Sequence, residues 1–391
     1  MSVMAMGAEK LSTQGVRGLL DRANLTVGGP EPWDPQVNDQ RFFTMVVKDG
    51  MRGLGDAYIC GYWDCRDLPE FFCRAIRAGL LELMAEAGPM QRLVSRFITE
   101  NLQSPSLAAG NVAAHYDRHD RLVRFSVDGE TRAYTCAVWK DPGDLDSGET
   151  LSGAQERKFG YICRALGLKS GMKVADLGCG YGGFMAYAAK RYGVEIVGYN
   201  ISKEQCAYIR GEYGGLQNLQ VVEDDWRELR GSFDRIVTIG MGEHVGRGNL
   251  RALMETLSRH LAEDGLAFTH FFGLPHGGIP LIDPWTEAHI FPGIDMLSPP
   301  QVAEAADGLF VAVDSREIGM HYPKTLWHWA RNFRSRSEEI LRDHGPEAYR
   351  MWWYYLNTAI AAFRTRRLIL HQTVWAPWSS ETLYRRTELE L

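Results

Sequence analysis

Two clusters of residues in this chain have the types and spacing to do chemistry. The first is Asp176-Leu177-Gly178-Cys179-Gly180-Tyr181-Gly182-Gly183, which follows the apolar run beginning at Lys173. An apolar run that stops in a glycine-rich turn and then opens a helix reads as a buried strand feeding a nucleotide-type pocket. Glycine there allows the backbone to approach a ligand. The second is Gly240-Met241-Gly242-Glu243-His244-Val245-Gly246, at the end of the strand pattern Phe233 to Gly240. An acid and a histidine at a strand's C-terminal end stand where open parallel sheets hold their ligands. His270 ends up at the same edge, within the strand pattern Leu266 to Phe272.

The glycine spacing separates two kinds of pocket. A dinucleotide site needs G-x-G-x-x-G and an acid about 20 residues on, for a ribose. Here an acid, Asp176, precedes the glycines, and the second strand pattern, Glu195 to Asn200, ends in Asn200. That favours S-adenosylmethionine over NAD. Asp176, Gly178 and Gly180 then face the amino-acid end of that cofactor, and Asn200 and Ile201 lie along its ribose and adenine. Ser202 and Gln205 have the spacing of a capping box, so Gln205 is either a cap or a cofactor contact. The pair Asp225-Trp226, after the strand pattern Leu219 to Val222, suits the adenine amine and ring face; a solvated turn with Trp226 plugging the core is the alternative.

The elements that must position these groups alternate strand and helix, which predicts a parallel sheet covered on both faces. A helix over Phe184 to Arg191 is capped by Gly193. A second carries Leu250, Leu253, Met254, Leu257 and Leu261 on one face and is stopped by Gly265. Upstream, Phe71, Phe72, Ala75, Ile76, Leu80 and Leu83 make an apolar face in a helix over Leu68 to Ala85, for core packing or for lipid or dimer contact. Leu102 to Ala114, rich in Ser, Gly, Ala and Pro, reads as a linker. The expected domains are 1–101, a linker at 102–114, and a catalytic domain over 115–391.

With 391 residues the chain has room for two domains. A net charge of −6 gives no basic field for nucleic acid. No apolar run reaches the ~20 residues of a membrane span, and the N-terminus lacks a signal-peptide pattern. Seven scattered cysteines without a C-x-x-C pair point to a reducing, cytoplasmic setting and no metal. Seven of the eleven tryptophans fall from Trp285 onward, for an acyl tunnel or an aromatic core. Arg331, Arg334, Arg336, Arg364, Arg366 and Arg367 are head-group candidates or solvated faces.

Taken together, the motifs resemble the cyclopropane-fatty-acyl-phospholipid synthase family. The stretches that carry the resemblance are Tyr134-Thr135-Cys136-Ala137-Val138-Trp139, the Asp176 to Gly183 loop, Gly240 to Gly246, Asp283-Pro284-Trp285 through Gly293, and Tyr354 to Arg364. Gly28 to Val37 and Gly53 to Trp63 are similar to the family's N-terminal domain. The resemblance implies a Rossmann-like class I methyltransferase domain, with a seven-stranded mostly parallel sheet and helical cap, behind a smaller N-terminal domain. It implies methyl transfer from S-adenosylmethionine to a cis double bond of a membrane phospholipid acyl chain, followed by proton loss and ring closure. It further implies cofactor contacts from Tyr134 and Thr135, and a bicarbonate held by Cys136, Glu243, His270, Tyr322 and the backbone near Phe272 as proton acceptor. His270 and Tyr322 are hydrogen-bond donors and Cys136 a weak one; Glu243 orients His270 or meets a bicarbonate proton. Peripheral, reversible membrane contact and a homodimer through the N-terminal domain are also implied.

His115-Tyr116-Asp117 follows the family pattern, but Arg118 to Val123 does not. A methyl- or methylene-branched product from a related lipid C-methyltransferase is therefore the alternative, and a non-catalytic lipid-binding relative is the third reading.

Overall fold

The computed structural model describes residues 3–80, 118–275, 283–381 and 383–388. The expected linker, Leu83 and the His115-Tyr116-Asp117 motif lie outside the described residues. The chain divides into two compact units, and the division is not linear. The first unit combines the N-terminal hundred residues with two later stretches that include the helices Pro284–His289 and Ser337–Arg364.

In the first unit a two-residue antiparallel pair, β1 (Gln36–Val37) and β2 (Trp63–Asp64), brackets the helix Arg41–Ile59. The helix Leu68–Arg77 starts at Asp67, whose side chain accepts from Glu70 N, with Pro69 in its first turn. It is shorter than the expected span to Ala85, and its apolar face is core. Phe71 packs at a tilt against Trp63 at 5.0 Å, and Phe72 meets Tyr354 edge-on at 5.2 Å. Trp285 and Trp352 are fully buried, so here the tryptophans make an aromatic core. Arg350 on the long helix closes the β2 turn. Its guanidinium donates to Tyr58 O (2.5 Å), Trp63 O (2.9 Å) and Asp64 Oδ1 (2.8 Å) while lying 4.1 Å from the Tyr58 ring centroid.

The second unit is built on seven strands, β3 (Lys173–Leu177), β4 (Glu195–Tyr199), β5 (Leu219–Val222), β6 (Phe233–Ile239), β7 (Leu261–Gly273), β8 (Phe310–Glu317) and β9 (Ile369–Pro377). Their order is β5-β4-β3-β6-β7-β9-β8. The strands from β5 to β7 are parallel, and β9 runs antiparallel to both of its neighbours. The order reverses beside β3, so its C-terminal end meets a crevice, where such sheets bind ligands. Helix Gly183–Tyr192 ends at Gly193 in the left-handed region (φ 67°), as the sequence predicts. The helix starting at Leu250 ends at His260, ahead of Gly265. Leu261 leaves the helix to pair with Phe233, and β7 runs on through Gly265 after an irregularity in register. The glycine lies within the strand instead of stopping the helix.

Replacing Arg350 with Met keeps the stem over Tyr58 but strips the donors from two backbone carbonyls and Asp64. We expect a loss of about 1–3 kcal/mol, read as a lower urea midpoint at unchanged slope.

Candidate active site

The crevice at the ends of β3, β4 and β6 holds two contiguous spaces of about 620 and 570 Å3, both bordered by Gly178, Gly180, Gln205 and Gly240. The first is lined by Asn200, Ile201, Asp225, Trp226, Tyr199 and His244; the second by Tyr134, Thr135 and Asp176. Every residue assigned to cofactor contact from the sequence therefore borders one space or the other. Tyr199, Met241 and His244 join them. Two glycines are obligatory. Gly178 (φ 76°) would bring a Cβ to 3.0 Å from the Met241 side chain, and Gly240 (φ 77°) to 2.6 Å from Thr135 Cγ2.

Asn200 is a local organiser. Its Nδ2 donates to Gly180 O (3.1 Å) and to Gln205 Oε1 (2.8 Å), and its Oδ1 accepts from Ser202 N (2.9 Å). Only half of the expected capping box forms: Ser202 Oγ accepts from Gln205 N at 3.4 Å, while the Gln205 side chain is turned to Asn200. Asp225 caps the short turn Trp226–Glu228 and pairs with Arg227 at 3.0 Å; Trp226 is buried beneath that guanidinium.

Asp176 is buried, and its Oδ1 has no hydrogen-bond partner among the described residues. Burial raises its pKa to about 7, against the pull of Lys158. An orphaned carboxylate oxygen beside glycines that keep the backbone bare fits a ligand that brings a cation, such as the ammonium of S-adenosylmethionine.

Three of the four residues assigned to proton removal are tied to the end of β7, and Cys136 to the helix that Tyr322 opens. Glu243, in the short helix Gly242–Val245, accepts Phe272 N at Oε1 (2.6 Å), and its buried Oε2 has no partner among the described residues. Burial raises the Glu243 carboxyl to about 7, which the Phe272 N–H partly opposes. Tyr322 meets the Phe272 ring edge-on at 6.3 Å. His270 lies two residues before Phe272, so both side chains take the same face of β7. Cys136 Sγ sits 3.9 Å from Thr325 Oγ1, three residues after Tyr322. Burial holds its thiol up at about 12, so it stays protonated and serves as a weak donor.

His270 is oriented by Gln372; of the two roles the sequence left open for Glu243, a hydrogen bond to His270 does not form among the described residues, and its Oε2 is left for the other. Gln372 on β9 is its cross-strand partner, and its amide nitrogen lies 3.1 Å from His270 Nδ1. That bond makes Nδ1 the acceptor and leaves the proton on Nε2. Burial drives the imidazole well below its usual pKa, so it is neutral and its Nε2–H is a donor.

Four participants were not legible in the sequence. Gln372 and Thr325 belong to stretches without a motif. Gln155 and Lys158, three apart on the helix Leu151–Ala165, grip the Thr135 segment: Gln155 Nε2 donates to Thr135 O (2.7 Å) and Lys158 Nζ to Thr135 Oγ1 (2.6 Å). Lys158 stands within a run of charges, Glu156-Arg157-Lys158, that looks solvated on paper.

Glu243 gives a pH signature. Its folded pKa of about 7 exceeds its ordinary 4.5, so its contribution to stability is complete below pH 4.5 and is lost as pH rises through 7. Glu243→Gln should match wild type in melting temperature near pH 4.5 and exceed it at pH 8. A differential melting series across that range reads this directly.

Comparison with known proteins agrees with this geometry. The mycolic acid cyclopropane synthetase family model matches residues 103–373. The cyclopropane-fatty-acyl-phospholipid synthase of Escherichia coli (strain K12) is 35% identical over 358 residues, covering 92% of this chain and 91% of its own. A sphingolipid C9-methyltransferase of Candida albicans is 30% identical over 280 residues, covering 67% of this chain and 53% of its own. Among solved structures, a cyclopropane synthase from Mycobacterium tuberculosis superposes with a TM-score of 0.63 at 27% identity, over 71% of this chain and all of that one. A mycolic acid cyclopropane synthase complexed with SAH and CTAB gives 0.62 at 29% identity, over 68% and 97%. The sheet is that of the class I S-adenosylmethionine-dependent methyltransferases, preceded here by an N-terminal region, and the chain belongs to the mycolic acid cyclopropane synthetase family.

Proposed function

We propose that this methyltransferase adds a methylene unit from S-adenosylmethionine to the cis double bond of an unsaturated phospholipid acyl chain, forming a cyclopropane ring. The observation that carries the reading is the dry cluster of Glu243, His270, Cys136 and Tyr322 beside a crevice with an orphaned Asp176 oxygen. S-adenosylmethionine would be held by Tyr134, Thr135, Asp176, Gly178, Gly180, Asn200, Ile201, Gln205, Asp225 and Trp226, and when bound supplies an electrophilic methyl. The alkene π pair forms the new carbon–carbon bond, and the cation left on the chain needs negative charge and ring faces nearby. The Tyr322 and Phe272 rings are suited to that.

The ring closes as a proton leaves the new methyl, and that proton needs a positioned base. A bicarbonate in the cluster would supply it. His270 Nε2–H and the Tyr322 hydroxyl can donate to such an anion, and the Cys136 thiol weakly. A carboxyl that keeps its proton up to about pH 7 removes the repulsion between Glu243 and a second anion, because it too can donate. Exclusion of water protects the cation from capture.

No helix among the described residues is long and apolar enough to cross a membrane. Access to a phospholipid would then come from reversible contact with the membrane surface on the cytoplasmic side, by a homodimer formed through the N-terminal region. Of the head-group candidates, Arg364 pairs with Glu70 at 3.4 Å and Arg336 with Glu339 at 3.7 Å, in the manner of solvated faces.

The second reading, a methyl- or methylene-branched acyl product, is favoured by the similarity to sphingolipid C9-methyltransferases. Methyl-labelled S-adenosylmethionine with vesicles of a cis-monounsaturated phospholipid separates the two. A labelled lipid that takes up no hydrogen under mild catalytic hydrogenation contains a ring; uptake of one equivalent means a branched alkene. No label transfer with cofactor binding intact would count against both. Glu243→Gln and His270→Ala should each bind S-adenosylmethionine near normally by calorimetry while turnover falls about 100-fold or more.

A further inference from the structure

One charged group at the reaction edge has no part in this scheme. The helix Leu151–Ala165 turns three side chains onto the segment that carries Thr135 and Cys136. Gln155 Nε2 donates to Thr135 O (2.7 Å), Arg157 Nη1 to Val138 O (2.9 Å), and Lys158 Nζ to Thr135 Oγ1 (2.6 Å). Lys158 has no exposed surface. Its ammonium has three N–H donors, yet among the described residues Thr135 Oγ1 is its one hydrogen-bond acceptor.

Lys324 supplies the contrast within the same unit. It is equally buried, and its Nζ donates to Asp141 O (2.9 Å), Asp144 O (2.5 Å) and Ser147 Oγ (2.8 Å). A lysine that serves the fold saturates its donors in this way, because a dry, unsatisfied ammonium is costly. Lys158 leaves hydrogen-bond donors over, with the Phe159 ring centroid 4.9 Å from its Nζ; burial lowers its pKa to about 7, so an anion beside it would hold its proton on, and its charge bears on the reaction edge. It acts on Cys136 and Asp176, with Asp128 behind, and it disfavours a proton on the neighbouring His270. The donors that face the position of a small anion are all neutral: a thiol, a phenol and a neutral imidazole. Neutral donors alone repay poorly the desolvation of an enclosed anion, and Glu243 adds a further acid.

We propose that Lys158 is the positioning cation of this centre: fixed by Thr135, it supplies the positive charge that retains a small proton-accepting anion beside Cys136 and His270. The proposal rests on the reading above that a bicarbonate-type anion occupies the cluster. It makes Thr135 the hinge between two tasks, since the same residue borders the crevice assigned to the methyl donor.

The test titrates bicarbonate into carbonate-depleted full-length enzyme and follows label transfer to lipid, alongside calorimetry of S-adenosylhomocysteine binding and melting temperature. In wild type, activity should rise with bicarbonate and saturate. In Lys158→Met the half-saturating bicarbonate concentration should rise at least about tenfold, the penalty for removing the charge partner of an enclosed ion. S-adenosylhomocysteine affinity should stay within about threefold, under 1 kcal/mol. If Lys158→Met does not fold, Lys158→Gln, which keeps a donor for Thr135 without the charge, is read by the same criteria. A folded variant with wild-type bicarbonate dependence overturns the role of Lys158 and leaves the anion reading standing. A wild-type enzyme indifferent to bicarbonate overturns the anion reading, and this proposal with it.

Discussion

Removal of ionisable groups from water at one sheet edge is the constraint on which the rest of the second unit depends. Asp176, Glu243, His270 and Lys158 are all buried within a few strands of one another. An isolated charge in such a place is costly, so each group either shifts toward its neutral form or takes a partner. The carboxyls move up to about 7, the imidazole is neutral, and the ammonium falls to about 7. The result is two carboxyls and an ammonium poised near neutrality beside an imidazole held in its neutral form. Packing supports this by keeping water out. The aromatic faces of Phe272 and Tyr322 and the apolar core beneath β6 and β7 are what make the edge dry.

Parallel strands made this edge legible from the sequence. β3, buried along all but its first residue, reads as a near-continuous apolar run, and β4, β5 and β6 as short runs rich in Val, Ile and Leu; each was bounded within a residue or so. The glycine loop was equally readable because its positive φ values at Gly178 and Gly180 admit little else. The end of the helix at His260 was misread. Gly265 looks like a stop signal, but tertiary pairing of Leu261 with Phe233 outweighed the local cue. Likewise the apolar face at Phe71 and Phe72 does not declare from sequence whether lipid or protein covers it; Trp63 lies beyond a turn, and Tyr354 is distant in the chain.

The reacting groups divide in the same way. Glu243 follows the end of β6 and His270 lies three residues before the end of β7, both on the side where such sheets hold ligands, so position alone marks them. Lys158 and Gln372 act through contacts made across 23 and 102 residues of chain, and nothing in their local sequence announces burial. Lysine inside a charged run is ordinarily solvated, so composition points the wrong way for Lys158. The Leu151–Ala165 helix turns it inward because Phe159, Ile162 and Ala165 on that helix must also be covered.

Gln372 lies on β9, the strand inserted between β7 and β8, yet it decides which nitrogen of His270 carries the proton. Synthesis proceeds from the N-terminus, so the crevice lining up to His244 emerges long before this amide does. A chain ending before β9 would thus carry every residue of the crevice lining while His270 lacked its cross-strand partner. The tautomer of a histidine on β7 is in this sense set by the last strand of the sequence, which pairs on both sides between β7 and β8.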